Sequence, residues 1–126
     1  KRTNIAKIYS DELTNIPSIT LPKSSLGNRH SWHLYVIQIN AKHLNIDRDQ
    51  FITKLKEYNI GTSVHFIPLH RHPYYKNKFG YSPNKFPNSE FIYNSSISLP
   101  IYPKMTRTDV DDVIQTVKHI VSIYQK

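Results

Sequence analysis

Between Gly61 and Tyr75 the chain reads Gly-Thr-Ser-Val-His-Phe-Ile-Pro-Leu-His-Arg-His-Pro-Tyr-Tyr, a short β-like run that breaks into a loop. The imidazoles of His65, His70 and His72, the Arg71 guanidinium and the phenols of Tyr74 and Tyr75 fall within eleven residues. Such groups between them donate and accept hydrogen bonds and stack on aromatic ligands. A segment that only joins two elements has no need of them, so the pattern points to the lining of a pocket. Two other chemistries fit the same residues less well. His65, His70 and His72 can offer imidazoles to zinc, but a compact tetrahedral site wants cysteine or carboxylate partners. Cysteine is absent, and Glu90 is the only acid between Glu57 and Asp109. Hydrolysis has no Gly-x-Ser-x-Gly elbow and no convincing acid pair to start from. No metal and no catalytic residue is expected in this chain.

The elements that position the loop are readable from periodicity. Ile5, Ile8, Tyr9, Leu13 and Ile16 recur at helical spacing, which predicts an amphipathic helix over residues 3–15, ended by Pro17. Thr20–Asn28, with Pro22 and Gly27, reads as loop, and His30–Ile39, rich in aromatic and β-branched residues, as a strand. Asp47 with Gln50 resembles a capping box for a helix over 47–58, and Asn59 can close that helix in the left-handed conformation. Thr62–Phe66 is then expected as a second strand that delivers the histidine loop at its end. Pro73–Phe79 suggests a short helix, Gly80–Pro87 is turn-rich, Asn88–Tyr93 suggests a helical turn or two, and Ser96–Leu99 a third strand. Thr106 with Asp109 caps a last helix whose Val110, Val113, Ile114, Val117, Ile120, Val121 and Tyr124 keep the 3.6-residue period. Only three short strands among helices imply an α+β fold, a small sheet covered by helices.

Composition narrows the class. The 126 residues suit one domain over 1–126, and 38% hydrophobic content has no apolar run near the roughly 20 residues of a membrane span. No membrane partner is expected. The lack of cysteine fits a reducing cytoplasm, and Lys1-Arg2 is not followed by the apolar core of a signal peptide. The first residue is not methionine, so the chain reads as a piece of something longer. A net charge of +8 invites a nucleic-acid reading, yet the basic residues are scattered and the densest group is only Arg71, Lys76 and Lys78. An independent basic module that binds nucleic acid or an acidic partner therefore stands as the alternative, with nucleic acid disfavoured.

Four runs carry a resemblance: Ser31-Trp32-His33-Leu34-Tyr35-Val36-Ile37; Gly61–Phe66 with His70, Tyr74 and Tyr75; Phe86-Pro87-Asn88-Ser89-Glu90; and Ser98–Thr106 with Asp109-Val110. In that order they resemble the C-terminal part of the DegT/DnrJ/StrS sugar aminotransferases, over residues 1–123. The resemblance implies the small domain of a fold-type I enzyme, with a three-stranded, mainly antiparallel sheet, and an interdomain helix over residues 1–16. It implies pyridoxal 5'-phosphate as cofactor and amino transfer, usually from glutamate, onto a nucleotide-linked keto-sugar for polysaccharide or glycan synthesis. In such enzymes the large N-terminal domain holds the Schiff-base lysine, the acid beside the pyridine nitrogen and most of the phosphate groups. None of the twelve lysines here stands in the family's lysine motif. Alone, the chain is expected neither to transaminate nor to bind the cofactor; its partners are the missing large domain of the same chain, a second copy in a homodimer, the nucleotide-sugar and glutamate.

The resemblance also implies which residues face the cofactor and substrate. His65 and Phe66 are the first choice, followed by His70, Tyr74 and Tyr75. Against this, His65 can be a strand-end histidine satisfied by a backbone carbonyl, and one ring of the tyrosine pair can belong to the core. Trp32 and His33 read as packing residues near the domain boundary. Apolar surface left uncovered is expected on the first helix and around Trp32.

Overall fold

In the computed structural model, which describes residues 1–25 and 27–126, the chain runs α1 (Arg2–Leu13), β1 (Ile19–Thr20), β2 (Tyr35–Ile39), α2 (Arg48–Glu57), α3 (Pro73–Phe79), α4 (Pro87–Ser95), β3 (Ser96–Leu99) and α5 (Arg107–Tyr124). Two short 3-10 turns, Leu69–Arg71 and Pro83–Lys85, flank α3. The caps form as the sequence predicts. Asp47 Oδ1 accepts the Gln50 N–H at 2.8 Å while Gln50 Oε1 accepts the Asp47 N–H at 2.9 Å. Thr106 Oγ1 accepts the Asp109 N–H at 3.2 Å, and Asp109 Oδ2 accepts the Thr106 N–H at 2.7 Å. Asn59 has φ 60°, and the Asn59 and Ile60 N–H groups bond the Lys56 and Leu55 carbonyls at 2.9 Å each. That is a Schellman ending, which turns Ile60 back into the core.

The sheet has the order β1-β2-β3 and is antiparallel throughout. Its strand number is as expected, but one member is not. Thr62–Phe66 is no strand: a single bridge joins Ser63 to Ser98, and the third strand is the two-residue β1, with Thr20 taken from the predicted loop. The rest of that loop reading includes Leu26, which lies outside the described residues. The strand expected from His30 begins only at Tyr35, because Trp32 adopts φ 51° and its N–H bonds His30 Nδ1 at 2.9 Å. Register splits the sheet into two faces. Tyr35 pairs Leu99 and Ile37 pairs Ile97, and all four are buried in the core; Val36 pairs Ser98 and Gln38 pairs Ser96, which makes the opposite face largely polar.

The apolar face is covered by α1, α2 and α5. Val110, Val113, Ile114, Val117, Ile120 and Val121 bury one stripe of α5 against Ile5, Tyr9 and Leu13 of α1 and Phe51 and Leu55 of α2. Tyr9 stands 5.1 Å from the Tyr35 ring and donates its hydroxyl to the Pro100 carbonyl at 2.8 Å. Burial pushes that phenol well above its ordinary pKa, so it stays a donor. The segment from Val64 to Asn94 departs from this body as an arm. Its rings follow one another in the order Tyr75, Phe79, Tyr81, Phe86, His70, at 4.7 to 6.2 Å, stacked except where Tyr81 meets Phe86 edge to face. The uncovered apolar surface lies here: Phe66, Ile67, Leu69, Tyr74, Phe79, Phe91 and Ile92 are exposed, whereas Ile5, Tyr9 and Leu13 of α1 are buried and Trp32 is half-buried against the core. The expected location on the first helix and around Trp32 is thereby corrected.

Candidate functional site

Two anchors hold the loop that carries the histidines. At one end, Ser63 exchanges backbone hydrogen bonds with Ser98, at 2.8 and 3.3 Å, and His65 Nδ1 lies 2.9 Å from Ser98 Oγ. The polar face of β3 thus receives His65 through a hydroxyl, not through the backbone carbonyl that a purely structural histidine was expected to use. The imidazole is exposed, and among the described residues its Nε2 has no hydrogen-bond partner. The His65–Phe66 peptide is cis, and the two rings meet edge to face at 4.8 Å.

At the other end, the Leu69–Arg71 turn puts His70 and Arg71 on one carboxylate. His70 Nε2 is 2.5 Å from Glu90 Oε1, Arg71 Nε donates to the same oxygen at 2.8 Å, and an Arg71 terminal nitrogen donates to Glu90 Oε2. These bonds, the Arg71 ones foremost, lower the Glu90 pKa to about 2. His70 is 6% exposed and stacks on Phe86 at 4.7 Å. Arg71 lies over the Tyr93 ring at 4.8 Å, and Arg48, buried at the start of α2, lies over the same ring at 5.0 Å while its Nη1 donates to the Ser96 carbonyl. Between the anchors Phe66, at 78% exposure, and Leu69, at 65%, stand out from the molecule.

The structure therefore brings His65 and Phe66 together at the sheet end and places His70 apart from them, inside the Glu90 cluster. Tyr74 and Tyr75 sit on α3. Tyr74 is exposed and holds Lys78 at 2.8 Å, while Tyr75 lines an aromatic groove of about 490 Å³ with Leu69, Phe79, Tyr81 and Phe86. Sequence reasoning missed Glu90, Arg48, Tyr93 and Ser98. Only Glu90 left a signal, as the one acid between Glu57 and Asp109. A larger cavity of about 600 Å³ lies elsewhere, between the Tyr58–Gly61 turn, Pro100–Met105 and α5. It contains no histidine, and one of its two carboxylates, Asp109, is spent on the α5 cap, whose donors lower its pKa.

Among the described residues no lysine is buried, and none is a desolvated amine of the kind that forms a Schiff base at neutral pH. These residues do not fit a complete pyridoxal-phosphate site. Among the described residues no cluster of three metal-binding side chains occurs, and no helix is long and apolar enough to cross a membrane.

Residues 1–118 match the model of the DegT/DnrJ/EryC1/StrS aminotransferase family. The chain is 49% identical over 122 residues to the spore coat polysaccharide biosynthesis protein SpsC of Bacillus subtilis, across 96% of this chain and 31% of that protein. It is 38% identical over 126 residues to the UDP-4-amino-4-deoxy-L-arabinose–oxoglutarate aminotransferase of Shewanella sediminis, across 96% of this chain and 32% of that protein. The fold agrees with that of the Helicobacter pylori aminotransferase PseC at a TM-score of 0.86 and 23% identity, across 97% of this chain and 32% of the other. The chain thus spans about a third of the length of the relatives it matches.

Proposed function

From the membership of this chain in the DegT/DnrJ/EryC1/StrS aminotransferase family, we propose that it is the C-terminal small domain of an enzyme that moves an amino group from glutamate to a nucleotide-linked keto-sugar. Aminotransferases of this family are pyridoxal-phosphate enzymes. The cofactor supplies the electron sink for amino transfer, and its lysine and phosphate groups belong to the part of the polypeptide beyond these residues. That part, a second copy in a homodimer, the nucleotide-sugar and glutamate are the partners, and the cytoplasm is the setting. Within the whole enzyme residues 1–16, which include α1, form the link between domains, and residues 1–126 act as one unit that does not transaminate alone.

The observation that carries this reading is the state of His65. Its Nδ1 is fixed by Ser98, its ring is exposed, and Nε2 is left for a ligand outside the domain. An imidazole held in this way can bond a sugar hydroxyl or a cofactor oxygen in a defined orientation. Phe66 beside it shields one side of that bond from water. His70 serves the same wall from behind, and Tyr74 and Tyr75 border it on α3, where they select among substrates.

The test uses the full-length protein loaded with pyridoxal phosphate. His65→Ala is expected to lower kcat/KM for a nucleotide-linked keto-sugar by about tenfold, the size of a lost positioning contact, without changing the melting temperature. Unchanged kcat/KM together with a lower melting temperature would show that His65 only holds the fold.

A further inference from the structure

The two anchors of the histidine loop belong to one uninterrupted piece of backbone. Glu90 lies on α4 and Ser98 on β3, and α4 passes into β3 without a connecting loop, Ser95 ending the helix and Ser96 starting the strand. The joint is itself fixed, because buried Arg48 reaches the Ser96 carbonyl and lies over Tyr93. Everything between His65 and His70 hangs on this piece. The loop has little else: His72 Nε2 donates to the Ile67 carbonyl at 3.3 Å, and the Arg71 N–H bonds the Pro68 carbonyl at 2.9 Å, both within the loop. Phe66, Ile67 and Leu69 find no place in the core.

We propose that Glu90 is a positioning residue, whose carboxylate, through His70 and Arg71, sets where the His65–Phe66 end of the loop stands against the substrate cleft. This rests on the cleft reading given above. A carboxylate is the group this place needs. It accepts from a histidine and, in bidentate fashion, from an arginine at once, and so orders two neighbouring side chains with one partner. The amide of a glutamine keeps the shape but has one acceptor oxygen, so it cannot satisfy His70 and both Arg71 donors. With α4 continuous with β3, the distance between the two loop anchors is set by regular secondary structure, and Glu90 transmits it to the loop. Arg71 is held by the Glu90 carboxylate on one hand and lies over the Tyr93 ring at 4.8 Å on the other. Glu90 itself stands behind the wall and acts on the ligand only through the loop.

The decisive experiment compares Glu90→Gln and Glu90→Asp with the wild type in the full-length holoenzyme. For Glu90→Gln, the KM for the nucleotide-linked keto-sugar is expected to rise about tenfold, with kcat within about threefold of wild type. Amide hydrogen exchange over residues 64–72 is expected to quicken by about tenfold while α5 and β2 keep their protection. Glu90→Asp, which retains the charge on a shorter stem, should recover part of both effects. Unchanged exchange in the loop, or an unchanged sugar KM beside faster exchange, overturns the positioning role. Equal loss of protection in α5 overturns it as well, since Glu90 would then merely stabilise the fold. A wild-type holoenzyme inert toward nucleotide-linked sugars strikes the functional reading alone, because the exchange measurement does not depend on turnover.

Discussion

In the body of this domain, twenty-two apolar side chains from α1, the sheet, α2, α5 and their connections form one buried cluster; in the arm from Val64 to Asn94 the single buried residue is His70. The arm keeps its shape by other means: a ladder of rings, one carboxylate shared by an imidazole and a guanidinium, and two guanidiniums over Tyr93. The difference teaches how a small domain divides labour. Burial gives the body stability that depends little on any one polar contact, while the arm trades burial for exposed rings and an exposed imidazole that another part of the protein can meet. Seven of the ten large hydrophobic residues exposed among the described residues lie in this arm.

The sharpest way to break the comparison is a pair of truncations. Phe51→Ala, at a fully buried ring, should lower the opening free energy of α5 amides in the full-length chain by about 3–5 kcal/mol, as large-to-small changes in cores do. Phe79→Ala, at a ring 48% exposed on the arm, should lower it by under about 1 kcal/mol. Similar costs for the two would mean that the arm belongs to the same cooperative unit. A smaller effect sharpens the body's side. Thr106→Ala removes the α5 cap acceptor and should cost about 1 kcal/mol by the same exchange measurement, with loop amides 64–72 unchanged.

The smallest expected effect on global stability tests the arm alone. The folded-state pKa of Glu90 lies below the ordinary carboxylate value of 4.5, at about 2, so the ionised clamp favours the folded arm fully above pH 4.5 and that contribution fades as pH falls toward 2. Carbon-13 NMR of labelled glutamate carboxyls in the full-length protein should show one midpoint near 2, with loop exchange still slow at pH 4. A Glu90 midpoint near 4.5 would leave the arm without its electrostatic anchor.

Local signals were legible in the sequence and distant ones were not. Asp47 with Gln50 and Thr106 with Asp109 announce their helices within three residues, and the α5 stripe repeats often enough to be certain of its face. Thr62–Phe66 looked like a strand because Thr62 and Val64 are β-branched, but only Ser63 meets Ser98 before the chain leaves for the arm. Conversely, β1 exists because Ile19 and Thr20 find Ile39 and Gln38, a pairing that two residues cannot signal by periodicity. His65 was legible by type and by resemblance, and its Ser98 partner, thirty-three residues away, was not. The Glu90 clamp spans nineteen and twenty residues between loop and helix, with no repeat to betray it; its one trace was a lone acid in a basic stretch.

The register of β2 against β3 has a kinetic side. Tyr35 meets Leu99 across about half of the chain, and α2, the histidine loop, α3 and α4 all lie within that interval. The central pairing therefore closes a long loop before it can be rewarded, which slows a domain's approach to its native state. Helix α2, capped at both ends, and the self-stacked arm can organise locally while that closure is pending, so each shortens the effective span to be searched. The arm that presents His65 in the finished protein thus also stands, in chain order, as a locally bonded spacer between the two strands that must find each other.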